Sequence, residues 1–126
     1  MSEIALKRIL VVDDEEDAAE ALRFTIEEGG YEVVTATDIE DATAKASEEK
    51  FDATVLDVSM NVLSRLEVPK KLRADRLTAL PIVVLTEVTE QIVRKQFTGY
   101  DGFVSKGADL SELVKQLALL TGPRPS

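Results

Sequence analysis

Short apolar runs alternate along the chain with longer segments of helical periodicity. Most of the runs consist of consecutive Val, Ile and Leu, a pattern typical of strands that are covered on both faces. The predicted strands are Arg8–Val12, Glu32–Ala36, Ala53–Leu56, Ile82–Leu85 and Gly102–Ser105. Strands that alternate with helices predict a parallel sheet with helices packed on both sides.

The segments that follow the strands carry apolar residues at helical spacing, which predicts five helices. They cover Ala18–Ile26, Ile39–Lys50, Arg65–Arg76, Thr89–Gln96 and Leu110–Leu117. Asp38 is the expected N-cap of the second helix, and Gly29-Gly30 ends the first. The sequence therefore predicts an α/β domain built from five strand–helix repeats.

Polar residues stand where the predicted strands end. Asp13-Asp14 follow the first strand, Asp57 the third and Thr86 the fourth, and Lys106 comes after the fifth. In the flavodoxin-like strand order 2-1-3-4-5, right-handed crossovers bring these ends to one edge of the sheet. Clustered carboxylates repel one another unless a cation compensates, and Mg²⁺ prefers oxygen ligands. A carboxylate beside Mg²⁺ can attack a phosphoryl group, whose oxygens an ammonium and a hydroxyl group would stabilise.

Composition limits the classes of function. The 126 residues suit one domain, expected over residues 1–121, with residues 122–126 as a tail or the start of a linker. A net charge of −9 with scattered basic residues argues against direct contact with nucleic acid. No apolar run approaches a membrane span, so we expect no membrane insertion. The chain has no cysteine, which fits a reducing compartment, and we expect a cytoplasmic protein.

The segments ILVVDDEED, GGYEVVTA, FDATVLDVSM, LPIVVLTE and YDGFVSKG resemble the receiver domain of bacterial response regulators in two-component signalling. The resemblance runs from about Lys7 to Leu120. It implies a flavodoxin-like (βα)5 three-layer sandwich that accepts a phosphoryl group from a histidine kinase, a phosphotransfer protein or a small phosphodonor. Such a domain catalyses only its own phosphorylation and dephosphorylation, so we do not expect an enzyme in the usual sense. The chain is either a single-domain regulator or a piece of a longer one.

The resemblance also implies a role for each polar position at the metal site. Asp57 matches the phosphoacceptor. Asp14 matches the direct Mg²⁺ ligand and Asp13 the acid that acts mainly through metal-bound water. The backbone carbonyl of Ser59 would complete the protein ligands of the metal.

A second set of positions resembles the switch of the family. Thr86 and Lys106 match the pair that senses the phosphoryl group, and Phe103 matches the aromatic that swings inward as the hydroxyl group moves. An effector protein would read the face formed by the fourth helix, fifth strand and fifth helix, and a homodimer is possible.

Four neighbours of these residues depart from the family pattern. Asn61 and Ser64-Arg65 stand where the family usually has Pro and Asp-Gly, which removes two backbone restraints from the loop. Glu87 stands where a small residue usually borders the path of the phosphoryl group. Gly107 replaces a proline whose preceding peptide bond is cis, and this puts the aim of Lys106 in question.

Other interpretations remain open. The departures suit a degenerate receiver that acts as a phosphorylation-independent interaction module. A small phosphatase with an Asp nucleophile usually has a second Asp two residues later, where this chain has Ser59. Taken singly, Asp14 could be the N-cap of the first helix, and Thr86 could bond its own backbone. Lys106 could be a solvated loop lysine, and Phe103 could be core packing.

Overall fold

The computed structural model describes residues 6–57, 80–96, 100–107 and 109–122. The strands are β1 (Arg8–Val12), β2 (Glu32–Ala36), β3 (Ala53–Asp57), β4 (Ile82–Thr86) and β5 (Gly102–Ser105). The helices in these ranges are α1 (Glu16–Glu28), α2 (Ile39–Glu48), α3 (Glu90–Gln96) and α4 (Ser111–Thr121). The predicted helix over Arg65–Arg76 and the predicted site residues Ser59, Asn61 and Arg65 lie outside the described residues.

The strands form one parallel sheet in the order β2-β1-β3-β4-β5, which confirms the predicted fold class. The register sets Val12 beside Leu56 and Asp57 beside Leu85. Both β3 and β4 are one residue longer than predicted, so Asp57 and Thr86 are the last residues of their strands. The polar strand ends therefore lie along one edge of the sheet.

Alternation along the strands divides the interior into two cores. In β1, Ile9 and Val11 face α1 and α4, whereas Leu10 and Val12 face α2 and α3. The α1 and α4 side is closed by four fully or nearly fully buried side chains, Leu22, Ile26, Leu113 and Leu117. The result is the predicted sandwich of three layers, in which the sheet is covered on both faces.

Local interactions set the ends of the helices. The Asp38 carboxylate accepts a hydrogen bond from the amide of Asp41 at 2.7 Å, which confirms the predicted N-cap of α2. The reading of Asp14 as the N-cap of α1 is wrong, since Glu15 occupies that position and its amide donates to the Asp13 carboxylate at 2.9 Å. Within the described residues no helix is long and apolar enough to cross a membrane.

Candidate functional site

Two buried carboxylates meet where the strand order of the sheet reverses. Asp13 follows β1 directly and Asp57 ends the neighbouring strand β3. Asp13 is 3% exposed and Asp57 is 8% exposed. In open parallel sheets this switch point, at the carboxyl ends of the strands, is the usual place for a ligand. The predicted convergence of these two residues is confirmed.

Lys106 reaches the same point from β5. Its Nζ lies 2.6 Å from Oδ1 of Asp57, so the lysine forms an ion pair in the site and is not simply a solvated loop residue. Its backbone amide donates to the carbonyl of Thr86 at 2.9 Å and continues the β4–β5 pairing past Ser105. The described residues contain no cis peptide bond, so the bond before Gly107 is trans. Lys106 is therefore aimed at Asp57 without a following proline.

Burial dominates the electrostatics of Asp13. Burial is the largest cause that raises the pKa of this carboxyl and the contact with Asp57 adds to it, while the amide of Glu15 and the charge of Lys106 lower it. Together they raise the pKa from 3.8 to about 7. Among the described residues, Oδ2 of Asp13 has no hydrogen-bond partner. A buried oxygen without a donor is costly, so the site favours a cation or a proton beside Asp13.

The ammonium group of Lys106 responds to the same charges. Burial alone lowers the pKa of Lys106, but the hydrogen bond and the charge of Asp57 outweigh it, and Asp13 and Glu87 add to their effect, so the pKa is raised. Glu87 is exposed and immediately follows β4. Lys106 thus stays charged in the presence of three acids.

Thr86 is fully buried at the end of β4. Its hydroxyl oxygen accepts a hydrogen bond from the amide of Val88 at 3.1 Å, which confirms that this hydroxyl bonds nearby backbone. The hydroxyl group still has a proton to donate. Thr86 is therefore joined to Lys106 through its carbonyl and, through its side chain, to the segment just before α3.

Phe103 is half-buried and packs against the core on the α2 and α3 side. Its ring lies 6.0 Å from that of Tyr100, with a tilt of 52° between the ring planes. The core-packing role is confirmed, and the inward swing stays a prediction.

The acid pair fits a hard divalent cation. Mg²⁺ is commonly bound by one or two carboxylates together with waters and phosphate oxygens, and the free Oδ2 of Asp13 beside Asp57 offers such a set. Asp14 is exposed, and in the part of the chain that the structure describes no three acidic side chains form a metal-binding group. The roles of Asp14 and of the Ser59 carbonyl stay predictions.

One group near the switch was missed by sequence reasoning. The Tyr100 hydroxyl donates to Oε2 of Glu90 at 2.9 Å, and Nε of Arg94 donates to the Tyr100 hydroxyl oxygen at 3.2 Å. Arg94 also pairs with Glu90 at 3.3 Å. The i,i+4 spacing of Glu90 and Arg94 could have indicated their pairing, but nothing in the sequence pointed to Tyr100.

Comparisons with known proteins agree with this geometry. Residues 9–118 match the family model described as the response regulator receiver domain. The alkaline phosphatase synthesis transcriptional regulatory protein PhoP of Bacillus subtilis is 47% identical over 85 residues, which are 68% of this chain and 35% of that protein. The response regulator MprA of Mycobacterium avium is 38% identical over 122 residues, 94% of this chain and 53% of that protein. The chain thus spans about a third to a half of the length of these relatives.

Solved structures show the same fold. The chemotaxis protein CheY4 of Vibrio cholerae superposes with a TM-score of 0.81 at 31% identity, covering 92% of this chain and 99% of that one. The response regulator TrrA of Thermotoga maritima, solved in complex with Mg²⁺ and BeF, has a TM-score of 0.79 at 33% identity and covers 91% of this chain and 99% of its own.

Proposed function

Since this chain belongs to the response regulator receiver domain family, we propose that it accepts a phosphoryl group on Asp57 in a Mg²⁺-dependent reaction. The modified domain then shifts from an inactive to an active state that a partner protein reads. The observation that carries the proposal is the pairing of Asp57 with Lys106 at 2.6 Å, beside a second buried acid with an unpartnered oxygen. These are a nucleophile, a cationic group for the phosphoryl oxygens and an oxygen donor for a metal, all at one edge of the sheet.

The chemical step uses one carboxylate oxygen of Asp57 as the nucleophile. This oxygen attacks the phosphorus of the donor and forms an acyl phosphate, and the bond from phosphorus to the donor atom breaks with its electron pair leaving on the donor. Lys106 moves from the carboxylate to the transferred phosphoryl oxygens, whose charge it balances. The buried position of Asp57 excludes competing water from most directions.

Asp13 and Asp57 would hold the metal ion, with Asp14 and the carbonyl of Ser59 as the further predicted ligands. When bound, Mg²⁺ supplies positive charge that reduces repulsion between the carboxylates and the incoming phosphoryl group. Asp13 must be ionised for this role, and its position after β1 fixes it beside Asp57.

The readout follows from the hydroxyl group of Thr86. Its proton is available for a phosphoryl oxygen, and movement of the Thr86 side chain towards that oxygen would break the hydrogen bond that it accepts from the amide of Val88, which lies just before α3. Phe103, packed in the same core as Val88, moves into the space that results. The surface formed by α3, β5 and α4 changes as a result. Phosphorylation thereby shifts the population of the domain from the inactive to the active state.

Intact-mass measurement after incubation with acetyl phosphate and Mg²⁺ tests the proposal. We expect the mass of one phosphoryl group to be added to the wild type and not to Asp57→Asn. Asp52→Asn is the matched control, because Asp52 precedes the other end of β3 and accepts a hydrogen bond from the amide of Arg8. Equal labelling of wild type and Asp57→Asn, or none with millimolar metal and donor, contradicts the proposal.

The second candidate is an interaction module that does not depend on phosphorylation, and the exposed acid Glu87 beside Thr86 favours it. It predicts that partner binding survives Asp57→Ala. A histidine kinase or phosphotransfer protein as donor, an effector protein on the α3–β5–α4 surface and a cytoplasmic location belong to the first proposal. A pull-down with the wild type and Asp57→Ala, each with and without acetyl phosphate, separates the two candidates.

A further inference from the structure

The Glu90–Arg94–Tyr100 group joins the first turns of α3 to the residues just before β5. We propose that it is a latch that holds α3 in its unphosphorylated position and so raises the threshold of the switch. This inference rests on the proposed function, because a threshold has meaning only if Asp57 accepts a phosphoryl group.

The contacts of the latch cross between two elements. Oε2 of Glu90 accepts from the Tyr100 hydroxyl group at 2.9 Å, and Nε of Arg94 donates to the same hydroxyl at 3.2 Å. The Arg94–Glu90 pair lies within α3 and is exposed, with 67% and 40% of the two side chains accessible, so it contributes little by itself. The hydrogen bond from half-buried Tyr100 to a charged acceptor is the stronger tie between α3 and β5.

The position of the latch couples it to Thr86. In the structure the Thr86 hydroxyl is engaged with the Val88 amide and Lys106 is engaged with Asp57, which is the arrangement expected without a phosphoryl group. Val88, between β4 and α3, and Val93, within α3, are buried in the same core. If Thr86 releases the Val88 amide, the start of α3 shifts relative to β5. The latch joins these same two elements, since it ties α3 to Tyr100 just before β5.

The latch also touches the predicted switch aromatic. The Tyr100 ring packs against Phe103 at 6.0 Å, so the ring contact and the hydroxyl contact of Tyr100 act on different partners. Removing only the hydroxyl group therefore separates the latch from aromatic packing. A shift of α3 relative to Tyr100 would break the hydrogen bonds of the Tyr100 hydroxyl, so the latch opposes the active state.

Beryllofluoride with Mg²⁺, a stable mimic of the phosphoryl group, provides the test. Apparent affinity is read from amide NMR shifts of Thr86 and Phe103 in the ¹⁵N-labelled chain. We expect Tyr100→Phe to bind about two- to tenfold more tightly than the wild type, because the change removes the hydrogen bonds of the hydroxyl group with Glu90 and Arg94, and the net strength of even one ordinary hydrogen bond corresponds to such a factor. Tyr31→Phe is the matched control, since that buried hydroxyl has no hydrogen-bond partner among the described residues and lies in the opposite core.

A second pair of variants and a second readout complete the design. Arg94→Gln should tighten binding less than Tyr100→Phe. Arg23→Gln removes an exposed i,i+4 pair on α1, together with an i,i+3 pair and a hydrogen bond to the Val33 carbonyl, and should leave binding unchanged. In the unmodified chain, α3 amides should exchange hydrogen faster in Tyr100→Phe than in the wild type.

Each outcome decides the matter. Tighter binding together with faster α3 exchange supports the latch. Unchanged or weaker binding in Tyr100→Phe, or an equal gain in Tyr31→Phe, overturns it while leaving the proposed function intact. A wild-type chain that takes up no beryllofluoride overturns the proposed function and the regulatory role of the latch with it.

Discussion

Asp13→Asn should stabilise the metal-free protein at pH 8. The amide oxygen of Asn can keep the hydrogen bond from Glu15, and its NH₂ group can donate to Asp57 from the position of the unpartnered Oδ2. The substitution thus replaces a repulsion between two buried carboxylates with a hydrogen bond. We expect the free energy of unfolding to rise although a charged residue of the site is lost.

The magnitude follows from the pKa of Asp13. The unfolded chain releases this proton near 3.8, whereas the folded protein keeps it up to about 7. Between these values the folded state binds more protons, so stability falls as pH rises. At about 1.4 kcal/mol per pKa unit, the upper bound at pH 8 is roughly 4 kcal/mol. Relaxation of the site and water at its open side reduce this, and we expect a gain of about 1–3 kcal/mol in the variant at pH 8 and less than half of it at pH 5.

Urea unfolding at pH 5 and pH 8, with and without Mg²⁺, measures the effect. Asp38→Asn is the matched control, because the amide keeps the exposed N-cap bond to Asp41 and should give no gain that grows with pH. With saturating Mg²⁺ the stability difference between the wild type and Asp13→Asn should shrink, since the wild type keeps the metal ligand and is stabilised by the bound ion. A loss of stability in Asp13→Asn at pH 8, or a gain that is the same at both pH values, would refute the reasoning.

Four further predictions concern the site and the fold. Glu87→Ala should speed labelling by acetyl phosphate about two- to fivefold at low salt, and added salt should shrink this gain, because one exposed like charge is removed from the path of an anion. Isothermal titration should show Mg²⁺ affinity rising up to about tenfold per pH unit as pH approaches 7, since the proton on Asp13 must leave first, and Asp13→Asn should flatten the curve. Gly30→Ala should lower the free energy of unfolding by about 1–2 kcal/mol, because Gly30 has a φ of 95°. Gly107→Ala should change it little in the same urea titration, since among the described residues a Cβ there would meet nothing closer than the Ser105 hydroxyl oxygen at 3.9 Å.

The sheet could be predicted from the sequence because its three central strands, β1, β3 and β4, are covered on both faces and are therefore mostly apolar. Strand ends were less predictable. Asp57 and Thr86 break the apolar pattern, yet their backbones remain paired with Leu85 and Ser105. The polarity of a residue indicates whether its side chain is buried, but it does not indicate whether its main chain is hydrogen-bonded to the neighbouring strand. The α2 helix likewise ends at Glu48, before the predicted Lys50.

The site was predictable as a set of positions, and its energetics were not. Strand order alone brings Asp13, Asp57 and Lys106 together. The depth at which Asp13 is buried depends on packing around β1 and could not be predicted from the adjacent residues in the sequence. The contacts of Tyr100 with α3 depend on the three-dimensional relation of two elements. Gly107 raised a concern about Lys106 that the structure resolves, because the lysine is positioned by the main chain of β4.

The bond between the Lys106 amide and the Thr86 carbonyl bears on how such domains diverge. This backbone hydrogen bond between the ends of β4 and β5 fixes Lys106 relative to Thr86. The loop beyond them can therefore vary in composition while the two functional groups keep their spacing. A receiver domain without the customary Lys-Pro dipeptide can therefore keep its lysine beside the strand-end aspartate, as this chain does. A motif search that requires the dipeptide would miss such a chain, whereas a search that requires a threonine and a lysine at the paired ends of the last two strands would find it.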